Sequence, residues 1–159
     1  MILIAYDGSE DAKAAIAAAA RLFPAQQAVV VTVWQRFIET MARAGAGFAM
    51  ITDYDEIDEA DEKNAKATAD DDAKLAVEAG LDASGAAAVV ETTTAEALLH
   101  RARADNVDAI VLGTRGLTGI KSLVLGSTSN HVLQHADRPV AVIPSPAIAA
   151  ERARRLSGD

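Results

Sequence analysis

The chain contains no cysteine, which excludes disulfides, thiolate-bound zinc and thiol nucleophiles together. Aromatic residues make up only 4% of it, with a single tryptophan, so the core must be built from aliphatic side chains. No basic excess exists either. The formal net charge is −8, which argues against nucleic acid or an anionic membrane surface as the main partner. A nucleotide is not excluded, because one phosphate pocket can be locally positive on an acidic protein. No apolar run reaches bilayer-spanning length, and the opening Ile2-Leu3-Ile4-Ala5-Tyr6-Asp7 has no basic flank. The pattern predicts neither signal peptide nor anchor, and a cytoplasmic address.

What the chain does have is small apolar residues. Half of its 159 residues are hydrophobic, and alanine runs such as Ala17–Ala20 and Ala86–Ala88 recur. Alanine-rich helices approach a sheet closely, which suits one domain of layered α/β architecture.

Short apolar strands alternate with helical segments. Strands are predicted at 2–6, 28–34, 87–91, 109–112 and 140–143, short and mostly aliphatic runs of which the second is rich in β-branched residues. Helices are predicted from Ala12 to Leu22, over 57–79, over 94–104 and from Ser127 to His135. Asp7-Gly8-Ser9-Glu10-Asp11 supplies a turn, an N-cap and first-turn acids, and Thr93-x-x-Glu96 has the form of a capping box. Residues 36–56 fit no period and read as a loop. The domain is expected over 1–146, and 147–159 as a frayed or weakly helical tail. Five buried strands with intervening helices predict a doubly wound parallel sheet covered on both faces.

Chemistry concentrates between the fourth strand and the helix at Ser127. The segment Gly113-Thr114-Arg115-Gly116 through Gly126-Ser127 lies where open α/β sheets bind ligands. Glycines there allow backbone N–H groups to approach a phosphate, and a helix start adds free N–H groups and a positive dipole end. Arg115 and Lys121 add charge. Taken alone, the glycines fit ordinary turns. The segment is no Walker A loop, since Ile120 separates Gly119 from Lys121, and Gly8 stands alone after the first strand, without the dinucleotide-binding triplet.

Other candidates favour structural roles. The acids between Asp53 and Glu62, and Asp70-Asp71-Asp72, read as solvated helix faces without calcium-loop spacing. His131 and His135 are four residues apart, yet no ligand framework surrounds them. Ser9 and Ser127 sit in no recognisable nucleophile context. Trp34 either borders a ligand or plugs the sheet edge.

Gly113-x2-Gly116-x9-Gly126-Ser127 resembles the motif of ATP-binding universal stress proteins. The opening Ile4-Ala5-Tyr6-Asp7-Gly8-Ser9 and the closing His135-Ala136-Asp137-Arg138-Pro139-Val140-Ala141-Val142-Ile143-Pro144 resemble the same family. That resemblance implies strand order 3-2-1-4-5 and a nucleotide cleft. In it, Asp7 would stand beside the ribose and phosphates, with Ala5 on the same wall. Val33 would meet adenine, Gly113 and Gly116 would wrap the phosphates with Arg115 near, and Gly126, Ser127 and Thr128 would hold them from the opposite side. Thr92-Thr93-Thr94 departs from the family pattern, which often has a glycine there. The implied function is ATP binding, with Mg2+, in a stress-response module without dedicated catalysis. A homodimer through strand 140–143 is implied too. A weak ATPase or phosphotransfer enzyme, and an interaction module with a vestigial pocket, are the alternatives.

Overall fold

A computed structural model describes residues 1–36, 54–117 and 125–157. Among the described residues five strands alternate with five helices: β1 (Ile2–Ala5), α1 (Glu10–Leu22), β2 (Gln27–Gln35), α2 (Tyr54–Glu78), β3 (Asp82–Val90), α3 (Thr94–Ala104), β4 (Ala109–Gly113), α4 (Ser127–His135), β5 (Val140–Ile143) and α5 (Pro146–Ser157). The strands form one parallel sheet in the order β3-β2-β1-β4-β5, as expected.

Side-chain alternation in the strands divides the core in two. Ile2, Ile4, Val30 and Val111 pack on one face against α1 and α2, through Ala12, Ala15, Ile16, Ala73 and Ala76. Leu3, Val29, Val31, Ile110 and Leu112 pack on the other against Ala95, Leu98, Leu99 and Ala102 of α3 and Val132 of α4. Burial on both faces is why these strands read as continuous apolar runs.

Small residues set the layer spacing. At Gly85 a Cβ would collide with the Ala69 backbone of α2, so the helix lies directly on β3. That approach also explains a boundary missed from sequence. β3 begins at Asp82 rather than 87, because Asp82, Ser84 and Gly85 have weak strand propensity yet pair in register with Gln27, Val29 and Val30.

Two helices also start earlier than the apolar periodicity indicated. α1 begins at Glu10, where Ser9 accepts from the Ala12 N–H, and α2 begins at Tyr54 rather than 57. The remainder of the expected loop, 37–53, lies outside the described residues. α3 is capped as predicted, with Thr93 Oγ1 accepting from the Glu96 N–H at 3.2 Å. The tail forms the helix α5, in which no residue is buried.

Candidate functional site

β1 neighbours both β2 and β4, so successive connections leave the sheet in opposite directions at its carboxyl end. That divergence opens a cleft, here of about 790 Å³. Ala5, Asp7, Val33, Gly113, Arg115, Gly116, Gly126, Ser127 and Thr128, distant in sequence, all line it. Lys121 lies outside the described residues.

The β1–α1 turn is tied to the segment after β4. Gly8, with φ +81°, turns the chain immediately after Asp7. The Asp7 carboxylate then accepts from the Ser9 N–H through Oδ1 at 3.0 Å and from the Leu117 N–H through Oδ2 at 3.1 Å. Ser9 Oγ donates to the Arg115 carbonyl at 3.3 Å. A Cβ at Gly116 would fall against Asp7 Oδ2. This glycine therefore permits the Asp7–Leu117 bond. Gly113 has a different reason: a Cβ there would stand 2.7 Å from Asp11 Cβ and 3.0 Å from the Ala12 nitrogen, so it admits the start of α1.

Beneath the loop runs a polar network that sequence reasoning missed. Asp11, Thr114, Ser129 and Ser145 are the buried polar side chains among the described residues, and they are connected. Thr114 Oγ1 donates to Asp11 Oδ2, the Ser145 N–H donates to Asp11 Oδ1 at 3.3 Å, and Ser129 Oγ donates to the Thr114 carbonyl at 2.8 Å. The Gly126 N–H donates to the same carbonyl at 2.8 Å. Burial pushes the Asp11 carboxyl up, but hydrogen bonds from Ser145 and Thr114, with the Arg115 charge, bring it net below the ordinary value. The network joins α1, the loop after β4, the start of α4 and the exit of β5. Nothing in the spacing of two serines, a threonine and an aspartate marks it in advance.

The N-terminus of α4 faces the cleft and differs from those of α1 and α3. The latter carry side-chain caps, Ser9 and Thr93, and first-turn acids. α4 has Gly126 as its N-cap, with no side-chain cap and no acid in its first turn. Its first N–H groups and its dipole end are thereby left for an anion.

The opposite wall comes from β2, β3 and α2, through Thr32, Val33, Gln35, Val90, Thr68 and Asp72. Asp72 corrects the sequence reading: α2 turns it into the cleft, half-buried, while Asp70 and Asp71 remain exposed. Asp72 lies one turn from Ala69 and from Ala76, both buried, and so shares their face of the helix. Thr32 Oγ1 donates to Asp72 Oδ2 at 3.4 Å. Trp34 is half-buried on β2, an interior strand, and is absent from the cleft wall. The His131 and His135 rings stack with centroids 4.1 Å apart, and no cluster fit to bind a metal occurs among the described residues. No helix among them is long and apolar enough to cross a membrane.

The family model described as "Universal stress protein family" matches residues 1–144. Universal stress protein YxiE of Bacillus subtilis is 30% identical over 145 residues, covering 89% of this chain and 97% of that protein. Universal stress protein Slr1101 of Synechocystis matches more locally, at 45% identity over 49 residues, 31% of this chain and 45% of that protein. Among solved structures, a universal stress protein family member from Burkholderia pseudomallei superimposes with TM-score 0.61 at 26% identity, covering 90% of this chain and 94% of its own. The universal stress protein of Archaeoglobus fulgidus in complex with dAMP superimposes with TM-score 0.55 at 21% identity, over 89% and 95%.

Proposed function

Since the chain belongs to the universal stress protein family, we propose that its cleft binds an adenine nucleotide, ATP with Mg2+, and that binding rather than turnover is its task. The observation that carries this reading is the convergence on one cleft of the uncapped α4 N-terminus, the Gly116 loop and Arg115. Backbone N–H groups and a helix dipole favour a phosphate chain, and a glycine cap leaves room for it. The complex of the Archaeoglobus fulgidus relative with dAMP supports an adenine nucleotide as the ligand class.

Asp7 sits between the nucleoside side and the phosphate side, where it would face the ribose or a phosphate-bound Mg2+. Among its described residues the cleft offers two carboxylates, Asp7 and Asp72, and no histidine or lysine. Both Asp7 oxygens already accept backbone N–H groups, which suits a shaping role better than that of a general base. This favours a nucleotide-dependent regulatory module over an ATPase. The small molecule released when the purified protein is denatured, identified by mass spectrometry, tests the ligand class. An adenine nucleotide is expected; a protein that neither retains nor rebinds one contradicts the proposal and leaves the interaction module.

Assembly through β5 belongs to the same reading. Among the described residues β5 pairs with β4 alone, and all four of its residues are partly exposed. Such an edge invites pairing with a second copy. Light scattering should report a homodimer weakened by Val142→Lys, and a monomer at micromolar concentration would exclude it.

A further inference from the structure

Asp70, Asp71 and Asp72 form an acidic triplet on α2 in which the third member is set apart. Lys66 pairs with Asp70 at 3.5 Å and Lys74 with Asp71 at 2.6 Å, all four side chains being well exposed. Asp72 is half-buried, lines the cleft and makes no ion pair among the described residues. Its hydrogen-bond partner is Thr32, the residue before Val33 on β2. Burial pushes its carboxyl up, the Thr32 hydroxyl pulls it down and Asp71 pushes it up again. Its negative charge also reaches Tyr6, whose phenol is pushed up first by burial and then by Asp72.

A half-buried carboxylate with one neutral partner is costly unless something in the cleft compensates it. The segments that would hold phosphates, Gly113–Gly116 and Gly126–Thr128, come from β4 and α4, whereas Asp72 and Thr32 stand on the α2 and β2 wall. A carboxylate there faces the nucleoside end, clear of the phosphates that would repel it. Ionised, it is acceptor-only. It therefore recognises donors and rejects carbonyls. Thr32 engages Oδ2 and restrains the side chain, leaving Oδ1 to accept a ligand hydrogen.

We propose that Asp72 determines base specificity, its carboxylate accepting the exocyclic amino group of adenine across the cleft from the phosphate loop. The proposal rests on the adenine-nucleotide reading above and adds to it the residue that reads the base. A base with a carbonyl at that position, as in hypoxanthine, would set two acceptors against each other.

The test titrates nucleotide-stripped full chain with ATP and with ITP, each with Mg2+, by calorimetry. The wild type should prefer ATP by at least about tenfold, as a charge-assisted hydrogen bond exchanged for a repulsion requires. Asp72→Asn, whose amide offers a donor to a carbonyl, should weaken ATP, tighten ITP and bring the ratio within about threefold. Asp72→Ser, smaller and neutral, should lose discrimination as well, with folding of both variants checked by circular dichroism. Equal wild-type affinity for ATP and ITP overturns the proposal. So does an unchanged ratio in the variants, although the nucleotide reading then survives. Failure of the wild type to bind either nucleotide overturns both.

Discussion

The Asp7 carboxylate accepts the Leu117 N–H at 3.1 Å across 110 residues of sequence, and Gly116 is the position where a side chain would break that bond. A Cβ at Gly116 meets only the far end of the Asp7 side chain, which can rotate away at little cost to the fold. Gly116→Val should therefore leave the melting temperature nearly unchanged while nucleotide affinity falls at least about tenfold, about 1.4 kcal/mol. Gly113→Ala should instead lower the melting temperature. Its Cβ would lie 2.8 Å from the Asp11 backbone carbon, an overpacking of about 1–3 kcal/mol. That amounts to roughly 2–4 °C of melting temperature for each kcal/mol in a domain of this size. Equal effects of the two substitutions on stability would refute this division of roles.

Asp11 is expected to stabilise the site from beneath. Asp11→Ala strands the Thr114 hydroxyl and the Ser145 N–H in a buried position, at about 1–3 kcal/mol for each unsatisfied group. Asp70→Ala on the exposed face of α2 should stay within about 0.5 kcal/mol of wild type. Chemical denaturation of the two variants measures the contrast; a comparable midpoint for both would show that the buried network contributes nothing.

Asp137 gives a pH prediction with a definite sign. Hydrogen bonds from Arg138 first, at 2.8 Å, and from Arg103, at 3.1 Å, lower its carboxyl from 3.8 to about 2. A pKa depressed by folding contributes stability that is complete above the unfolded value of 3.8 and is lost as the pH falls through about 2. Carboxyl-carbon NMR should follow the titration at about 2 in the wild type and at higher pH in Arg138→Ala, where the Arg103 hydrogen bond still holds it below the ordinary value. An unshifted wild-type titration would disprove the pairing. Arg138 also donates to the Ala102 and Val107 carbonyls at 2.8 and 2.7 Å, so the variant should additionally loosen the C-terminal end of α3.

The sheet was legible because both its faces are buried. Apolar runs such as Val29-Val30-Val31 and Ile110-Val111-Leu112 carry the strand signal without help from context. β3 was read short because Asp82, Ser84 and Gly85 are held in the sheet by pairing and by the closeness of α2, which are tertiary effects. The nine residues proposed for the site were named through motif and family resemblance, and the topology brings all of them to one cleft. Asp72 was not. Its charge places it with Asp70 and Asp71 in any reading by composition, and only the rotation of α2 on β3 separates them. Asp11 was likewise read as a first-turn acid favoured by the helix dipole. That role is compatible with its position, but its partners Thr114 and Ser145 come from beyond residue 113 and leave no local mark.

The most direct measurement of nucleotide binding is the melting temperature of stripped protein with saturating nucleotide. A ligand at a hundredfold excess over its dissociation constant contributes about 2.7 kcal/mol. ATP with Mg2+ should accordingly raise the melting temperature by about 5–10 °C. AMP should raise it less, because it cannot reach all the N–H groups at the Gly116 loop and the start of α4. Ser127→Ala should shrink the ATP shift and leave the AMP shift nearly alone. If no adenine nucleotide shifts the melting temperature of the stripped protein, the cleft is not a nucleotide site.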